Sequence, residues 1–182
     1  MNALIDISNV VLNTDRLVLR AFRESDLEDL YEYACVDGVG QMAGWEPHKN
    51  ISESKAILDM FIREKKVFAI EFGGKVIGSL GIEEYHTTDL PELEDKKGRE
   101  IGYVLSKEYW GIGLMPEAVN RVIDYCFNDL GLDFLMCGHF VNNNQSRRVQ
   151  EKCGFRHYKL FKRLDRWGVS RDCWYSILEN NK

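Results

Sequence analysis

Two glycines separated by one residue, Gly111 and Gly113, stand immediately before the strongest amphipathic pattern in the chain. Glycines at a strand-to-helix turn allow backbone N–H groups to point at a ligand, and the start of a helix attracts negative charge through its dipole. The chemistry that this arrangement favours is the binding of a phosphate group. A tight turn that merely begins a helix has the same sequence, so the glycines alone leave both interpretations open.

Two common nucleotide sites do not match this turn. A dinucleotide site needs three glycines in the spacing G-x-G-x-x-G after an early strand, with an acidic residue about 20 residues later. A phosphate loop of the NTPase type needs Gly-Lys followed by Ser or Thr. The chain has only two glycines here, late in the sequence, and no Gly-Lys-Ser or Gly-Lys-Thr.

The elements that must position this turn follow from hydrophobic periodicity. The pattern predicts a strand at 100–105 before the turn and a helix at 116–130 after it, with Pro116 in the first helical turn. Elsewhere it predicts strands at 16–20, 67–72, 75–82, 132–141, 155–164 and 172–178, and helices that begin at 25 and span 52–65 and 147–153. The order β-α-α-β-β-β-α-β-α-β-β predicts one mixed α/β domain over residues 1–182. We expect residues 86–98 to form a mobile surface loop.

Composition narrows the classes of function. The 182 residues carry a net charge of −5, and no concentrated basic patch of the kind that binds nucleic acid is evident. No window approaches the roughly 20 apolar residues of a membrane helix. The five cysteines and four histidines are scattered without a CxxC pair, so we expect neither a disulfide framework nor a metal site. The first residues lack the pattern of a secretion signal, and we expect a cytoplasmic protein.

A second motif makes a family resemblance specific. Residues 143–155 read N-x-x-S-x-x-V-x-E-K-x-G-F, and they follow the W-G-x-G turn at 110–113. With TDRLVLR at 14–20 and IGYVLSKEYWG at 101–111, the chain resembles the GNAT superfamily of N-acetyltransferases from Thr14 to about Leu178. Within that superfamily it is most similar to the branch of ribosomal-protein alanine acetyltransferases (RimJ/RimL-like).

The resemblance implies a single-domain GNAT fold. Its sheet would be mixed and mostly antiparallel, splayed at two central parallel strands and flanked by helices. Acetyl-CoA would lie in the resulting gap as the acyl donor, with no metal involved. The residues expected to bind it are Leu105, Trp110, Gly111, Ile112, Gly113, Leu114, Met115, Asn143 and Ser146. Arg147 and Arg148 would stand near the adenosine phosphate. Met115 and Pro116 differ from the smaller residue and the threonine that are common in the family, which bears on CoA affinity.

The same resemblance suggests catalytic roles. Acyl transfer to an amine needs a base for the ammonium and a donor for the departing thiolate. We expect Glu100 to be the base, because partial burial in a cleft raises the pKa of a carboxyl group. Three alternatives stay open for this role, Glu83, Glu84 and His139. Ser146 is the expected proton donor, since Gln150 stands where many members carry a tyrosine acid, although Ser146 also suits the start of a helix.

Three points of function stay open in the sequence. The amine acceptor is a protein N-terminus or a small amine, and the aromatic residues that could line its pocket are Trp45, Tyr85, Trp110, Trp167 and Trp174, with Trp45 and Tyr85 favoured. A Cys/His acyltransferase that uses Cys137 or Cys153 near His139, and a CoA-binding sensor without transfer activity, are the alternatives to direct transfer. Terminal strands without a partner would also allow a homodimer.

Overall fold

The structure of this protein is a computed structural model. Within residues 1–164 and 168–180, which the structure describes, eight strands form one sheet in the order β1-β2-β3-β4-β5-β6-β8-β7. The strands are β1 Val11–Asn13, β2 Leu17–Ala21, β3 Val67–Phe72, β4 Lys75–Glu83, β5 Gly98–Leu105, β6 Phe134–Phe140, β7 Arg156–Leu164 and β8 Ser170–Glu179. The helices are α1 Leu27–Ala34, α2 Ile51–Glu64, α3 Leu114–Asp124 and α4 Asn144–Lys152. The predicted order of elements is confirmed, with β1 as an additional short strand.

Strands β5 and β6 are parallel, whereas the other neighbours in the sheet are antiparallel. Their pairing is short: it joins Gly98 to Phe134 and ends where Glu100 meets Met136. Both strands continue past that point, to Leu105 and Phe140. The two strands therefore separate, and a wedge-shaped gap opens in the middle of the sheet. The GNAT fold expected from the sequence is confirmed in this feature.

The helices cover both faces of the sheet. Helices α3 and α4 pack on one face with Ile101 and Leu105 of β5, and α1 and α2 pack on the other face with Val104. Helix α3 presents Leu114, Met115, Ala118, Val119 and Val122 to the sheet. Burial of each leucine, methionine or valine side chain among them stabilises the fold by about 1.5–3 kcal/mol, so α3 is firmly fixed beside the gap.

A buried ion pair connects β2 to α1. The guanidinium of Arg20 donates from Nη1 and Nη2 to both oxygens of Asp26, at 2.8 and 2.9 Å, and from Nε to Glu71 at 2.7 Å. Asp26 also accepts the backbone N–H of Arg23. This network fixes the turn between β2 and α1.

Three sequence expectations differ from the structure. Helix α3 begins at Leu114, two residues before the expected start, and Pro116 lies in its first turn as expected. Helix α4 begins at Asn144, three residues before the expected start. The 86–98 segment is packed rather than a simple surface loop, because Leu90 and Leu93 are buried beside Tyr85 and Phe134. Apolar side chains three residues apart in a polar segment were the signal for this packing.

The part of the chain that the structure describes holds no helix long and apolar enough to cross a membrane. Among the same residues, no group of three His, Cys, Asp or Glu side chains could hold a metal ion. Cys35, Cys126, Cys137 and Cys153 are free thiols.

Candidate active site

The gap between β5 and β6 opens into a cleft of about 800 Å³. Its walls come from β5 and β6, from the start of α3, from α4, and from the loop that connects α1 to α2. Most of the expected site residues border this cleft: Glu100, Leu105, Trp110, Gly111, Gly113, Leu114, Met115, Asn143 and Ser146. Segments distant in sequence thus meet in one place, as the two motifs predicted.

Residues 110–115, called the phosphate turn below, lie at the start of α3. Gly111 has φ 81° and Gly113 has φ 84°, the left-handed region that only glycine adopts without strain. The first amides of α3 have no partner within the helix and therefore suit an anion, except at Pro116, which has no N–H. Leu114 and Met115 direct their side chains into the core. The Ile112 side chain is 54% exposed and does not border the cleft, so only its backbone could serve a ligand.

An ion pair supports the phosphate turn from behind. Arg16 donates from Nη1 to the carbonyl oxygen of Ile112 at 3.0 Å and from Nε to Oε2 of Glu117 at 2.7 Å. Glu117 also accepts from the hydroxyl of Thr14 at 2.6 Å. Burial by itself raises the pKa of the Glu117 carboxyl, but the bonds from Thr14 and Arg16 outweigh burial and lower it. The charged form of Glu117 is thus favoured, and it joins the turn to the segment before β2.

Leu105 and Trp110 close the connection between β5 and the phosphate turn. The indole Nε1 of Trp110 donates to the carbonyl oxygen of Leu105 at 2.8 Å. The ammonium of Lys107 lies 5.9 Å from the Trp110 ring centre and donates to the carbonyl oxygen of Asp37 at 2.9 Å. Both predicted residues therefore shape the cleft wall through contacts within the protein.

Asn143 is the N-cap of α4. Its Oδ1 accepts the backbone N–H of Ser146 at 3.1 Å, and its Nδ2 donates to the carbonyl oxygen of Met42 at 3.2 Å. The side chain is thereby committed to the helix start and to the loop between α1 and α2. Asn143 connects the two walls of the cleft that α4 and this loop provide.

Ser146 lies in the first turn of α4 and faces Tyr103 of β5. The Tyr103 hydroxyl lies 3.0 Å from Oγ of Ser146, and Nε2 of Gln150 donates to the same Oγ at 3.2 Å. Burial raises the pKa of Tyr103 well above its ordinary value. Gln150 is itself held by His139, whose Nδ1 lies 2.9 Å from Oε1 of Gln150. A polar network therefore leads from the cleft into the core.

Three carboxylates also border the cleft, Glu83, Glu84 and Glu100. Glu100 is half-buried, and its Oε1 lies 3.3 Å from the place that a side-chain carbon on Gly138 would occupy. Glu83 lies opposite Glu100 in the β4–β5 ladder and forms an ion pair with Lys66 at 2.8 Å. Glu84 is exposed and lies 3.7 Å from Arg99. Glu83 and Glu100 are both half-buried, and Glu84 is the exposed carboxylate of the three.

His139 and the cysteines fit a role in the core better than one in chemistry. His139 is 5% exposed and does not border the cleft, and burial lowers its pKa. Burial raises the pKa of Cys137 strongly and that of Cys153 to about 11. Thiols with raised pKa values are poor nucleophiles, so the Cys/His acyltransferase alternative loses its support.

The aromatic residues expected around the acceptor are distributed differently. Trp110 borders the cleft. Tyr85 is buried against Phe134 and binds the N-terminal amino group, so its favoured place near the acceptor is wrong. Trp45 packs against Gly40, Trp174 stacks on His157, and Trp167 lies outside the described residues. The residues of the α1–α2 loop that do border the cleft are Val39, Met42 and Ala43.

Sequence reasoning missed two residues of the site. Tyr103 belongs to the IGYVL segment that carried the family resemblance, but its spacing gave no sign of a contact with Ser146. Arg16 belongs to the TDRLVLR segment, and its partner Glu117 lies 101 residues further along the chain. The charge of Arg16 was the available signal for this pair, and charge alone does not select a partner.

Comparison with known proteins identifies a family and relatives that resemble this chain. Residues 16–156 match the family described as "Acetyltransferase (GNAT) domain". The chain is similar to "Uncharacterized N-acetyltransferase YoaA" of Bacillus subtilis, with 30% identity over 155 residues that cover 80% of this chain and 82% of the relative.

Two solved structures share the fold. An acetyltransferase (GNAT family) from Bacillus anthracis has a TM-score of 0.83 at 21% identity, covering 95% of this chain and 100% of that one. The microcin C7 self-immunity acetyltransferase MccE, in complex with acetyl-CoA and AMP, has a TM-score of 0.76 at 20% identity, covering 92% and 94%. At these identities the likeness concerns the fold.

Proposed function

Since this chain belongs to the GNAT acetyltransferase family, we propose that it transfers the acetyl group of acetyl-CoA directly to a primary amine while both substrates are bound. The observation that carries the proposal is the cleft between β5 and β6, which brings the phosphate turn, Ser146 and Glu100 to one space. A protein N-terminus and a small amine both meet this description of the acceptor.

The donor side of the cleft suits a CoA molecule. The phosphate turn offers backbone amides at the positive end of α3, which favour a pyrophosphate. On α4, Arg148 and Lys152 border the cleft one helical turn apart, and two positive side chains there suit the adenosine phosphate. Arg147, the other expected contact, forms an ion pair with Glu151 and does not border the cleft.

The acceptor side suits a cationic group. Glu83 and Glu100 are directly opposed across antiparallel strands, so their side chains project from the same face of the sheet. Gly102, which is opposed to Gly81 two positions further along, leaves open space on that face, whereas the Glu83 side chain lies across Gly81. An ammonium group is attracted to such a surface, and Glu100, which stands on β5 where its pairing with β6 ends, takes its proton.

The chemistry then balances as follows. Glu100 accepts one proton from the ammonium, the nitrogen attacks the thioester carbon, and the C–S bond breaks with its electron pair on sulfur. The second proton that leaves nitrogen balances the one that the sulfur takes up, and Ser146 donates a hydrogen bond to the departing thiolate. The products are an amide, CoA and one released proton.

The branch of the family, the cellular compartment and the oligomeric state are part of the same proposal. The four motifs favour the branch of ribosomal-protein alanine acetyltransferases, and the free cysteines suit the reducing cytoplasm. We treat residues 1–182 as one domain. Strand β7, at one end of the sheet, offers an edge on which a homodimer could form.

Calorimetric titration with acetyl-CoA, followed by a thiol-release assay over amines and peptide N-termini, tests the function. We expect binding and amine-dependent release of CoA. Glu100→Gln should lower kcat about 100-fold or more with the acetyl-CoA affinity unchanged, because general base catalysis contributes about 10²–10⁴-fold. Glu84→Gln is the matched control, since this exposed carboxylate also borders the cleft and its loss should cost little rate.

Each outcome separates the alternatives. Binding without turnover on any acceptor would favour the CoA-binding sensor. An unchanged rate in Glu100→Gln with a large loss in Glu83→Gln would move the base to β4. The absence of acetyl-CoA binding would contradict the whole proposal.

A further inference from the structure

The hydroxyl group of Ser146 receives two hydrogen-bonding neighbours from inside the protein. The Tyr103 hydroxyl lies 3.0 Å from Oγ, and Nε2 of Gln150 lies 3.2 Å from it. A serine hydroxyl has two lone pairs and one proton, so the identity of the donors decides where the proton points. Ser146 also borders the cleft, which is the open direction.

Gln150 can only donate to Ser146. Its Oε1 is engaged by Nδ1 of His139 at 2.9 Å, which leaves the amide nitrogen facing Ser146 and Cys137. The side chain is buried, with 2% exposure, and turning the amide over would place its oxygen against the carbonyl oxygen of Gly138, which lies 3.4 Å from Nε2. The amide therefore fills one lone pair of Ser146 Oγ.

Tyr103 is placed to fill the other lone pair. Its hydroxyl can also donate to the carbonyl oxygen of Ser146 at 3.2 Å, because that carbonyl keeps a second lone pair after it accepts the helical N–H, so the phenol proton has two acceptors on Ser146. The contact with Oγ is the shorter of the two. Because burial raises the pKa of Tyr103 well above its ordinary value, the phenol keeps its proton at neutral pH.

We infer that Tyr103 and Gln150 are positioning residues that fill both lone pairs of Ser146 Oγ, so that its proton points into the cleft at the sulfur of CoA. The inference rests on the proposed function, in which Ser146 serves the departing thiolate. When the C–S bond breaks, its electron pair goes to sulfur, and the hydrogen bond from Ser146 becomes charge-assisted and stronger. Tyr103 and Gln150 exchange no proton with the substrate in this step.

A double-mutant cycle tests the positioning role. We expect Ser146→Ala to lower kcat about 100-fold, within the range of general acid catalysis, and Tyr103→Phe to lower it roughly tenfold with KM for acetyl-CoA unchanged. In the Ser146→Ala background, Tyr103→Phe should have no further effect, because the hydroxyl that it orients is gone. Gln150→Leu should follow the same rule. Tyr125→Phe, a buried tyrosine in contact with Phe68 and not at the cleft, is the control.

A second measurement does not depend on transfer. The ionisation of the CoA thiol on the protein is followed by ultraviolet absorption, with the desulfo analogue of CoA as the blank. A hydrogen bond from Ser146 to the sulfur stabilises the thiolate and so lowers the pKa of the bound CoA thiol. In Tyr103→Phe this bond should weaken, and we expect the thiol pKa to rise by about one unit, a roughly tenfold fall in its acid dissociation constant.

The two readouts fail separately. Multiplicative losses in the cycle, or equal thiol ionisation in the wild type and Tyr103→Phe, would overturn the inference. A wild type that acetylates no amine but shows the thiol shift would contradict the proposed function and leave the positioning role supported.

Discussion

Nη2 of Arg16 and Oε2 of Glu117 form an ion pair at 2.6 Å, between residues that lie 101 positions apart in the sequence. The same guanidinium donates to the carbonyl oxygen of Ile112, inside the phosphate turn. The segment before β2 thus holds the turn in the shape that presents its amides. The affinity for the donor should depend on this support, although Arg16 need not touch the donor.

Replacing Arg16 by Gln removes the ion pair and should weaken acetyl-CoA binding about fivefold or more, equivalent to roughly 1 kcal/mol. The turn would keep its glycines but lose the bond to Ile112. Calorimetry measures the dissociation constant, and kcat at saturating acetyl-CoA should change little. Lys55→Gln removes the exposed ion pair with Asp59 on α2 and provides a control. Equal affinities in all three proteins would contradict the prediction.

A side chain at Gly113 should affect stability and donor binding together. Gly113 has φ 84°, where a residue with Cβ is strained by about 1–2 kcal/mol. Gly113→Ala should therefore lower the free energy of unfolding and weaken acetyl-CoA binding as the turn relaxes. Gly74→Ala, at φ 85° in the β3–β4 hairpin, carries the same strain far from the cleft. Urea unfolding should show a similar loss for both, whereas calorimetry should detect weaker binding only for Gly113→Ala.

Stability should depend on pH through His139. Burial lowers its pKa below the ordinary value of 6.5 in the folded protein. Between the folded pKa and about 6.5 the unfolded chain binds more protons, so the free energy of unfolding rises with pH in that window and falls as the pH drops below about 6.5. Urea unfolding at several pH values should show this slope, and His139→Leu should flatten it. The slope should persist in His86→Gln, which changes an exposed histidine; its persistence in His139→Leu would argue against the assignment.

The ion pair of Arg20 and Asp26 should contribute strongly to stability and little to chemistry. Asp26→Asn removes the bidentate partner of a buried guanidinium that also pairs with Glu71, so we expect a loss of about 3 kcal/mol in the free energy of unfolding. Removing both charges, as Arg20→Leu with Asp26→Leu, should be less destabilising than the sum of the single changes. The folded fraction of each variant should keep its acetyl-CoA affinity, since neither residue borders the cleft. Additive losses would show that the two charges do not act as a pair.

Local patterns were sufficient for most elements because each helix or strand repeats its apolar residues at its own period. The alternation in β5 and the stripe on α3 place those elements without knowledge of the fold. The boundaries of the elements were predicted less accurately. The start of α3 was expected at Pro116 but lies at Leu114, because Gly113 in the left-handed region caps the helix directly before it. Tyr85 was misplaced because an aromatic residue after a strand has the same pattern in a core and in a pocket.

The sequence by itself determined the order of the elements, the family, and the two motifs that meet at the cleft, because glycine spacing and the N-x-x-S motif are local properties. The tertiary structure alone decided which groups face one another there. Tyr103 and Glu100 are three residues apart on β5, and an odd spacing places them on opposite faces of a strand. Only the packing of α4 brings Ser146 to Tyr103, and only the separation of β5 from β6 exposes both faces to one cleft. Such long-range contacts depend on how elements pack, which no local pattern encodes.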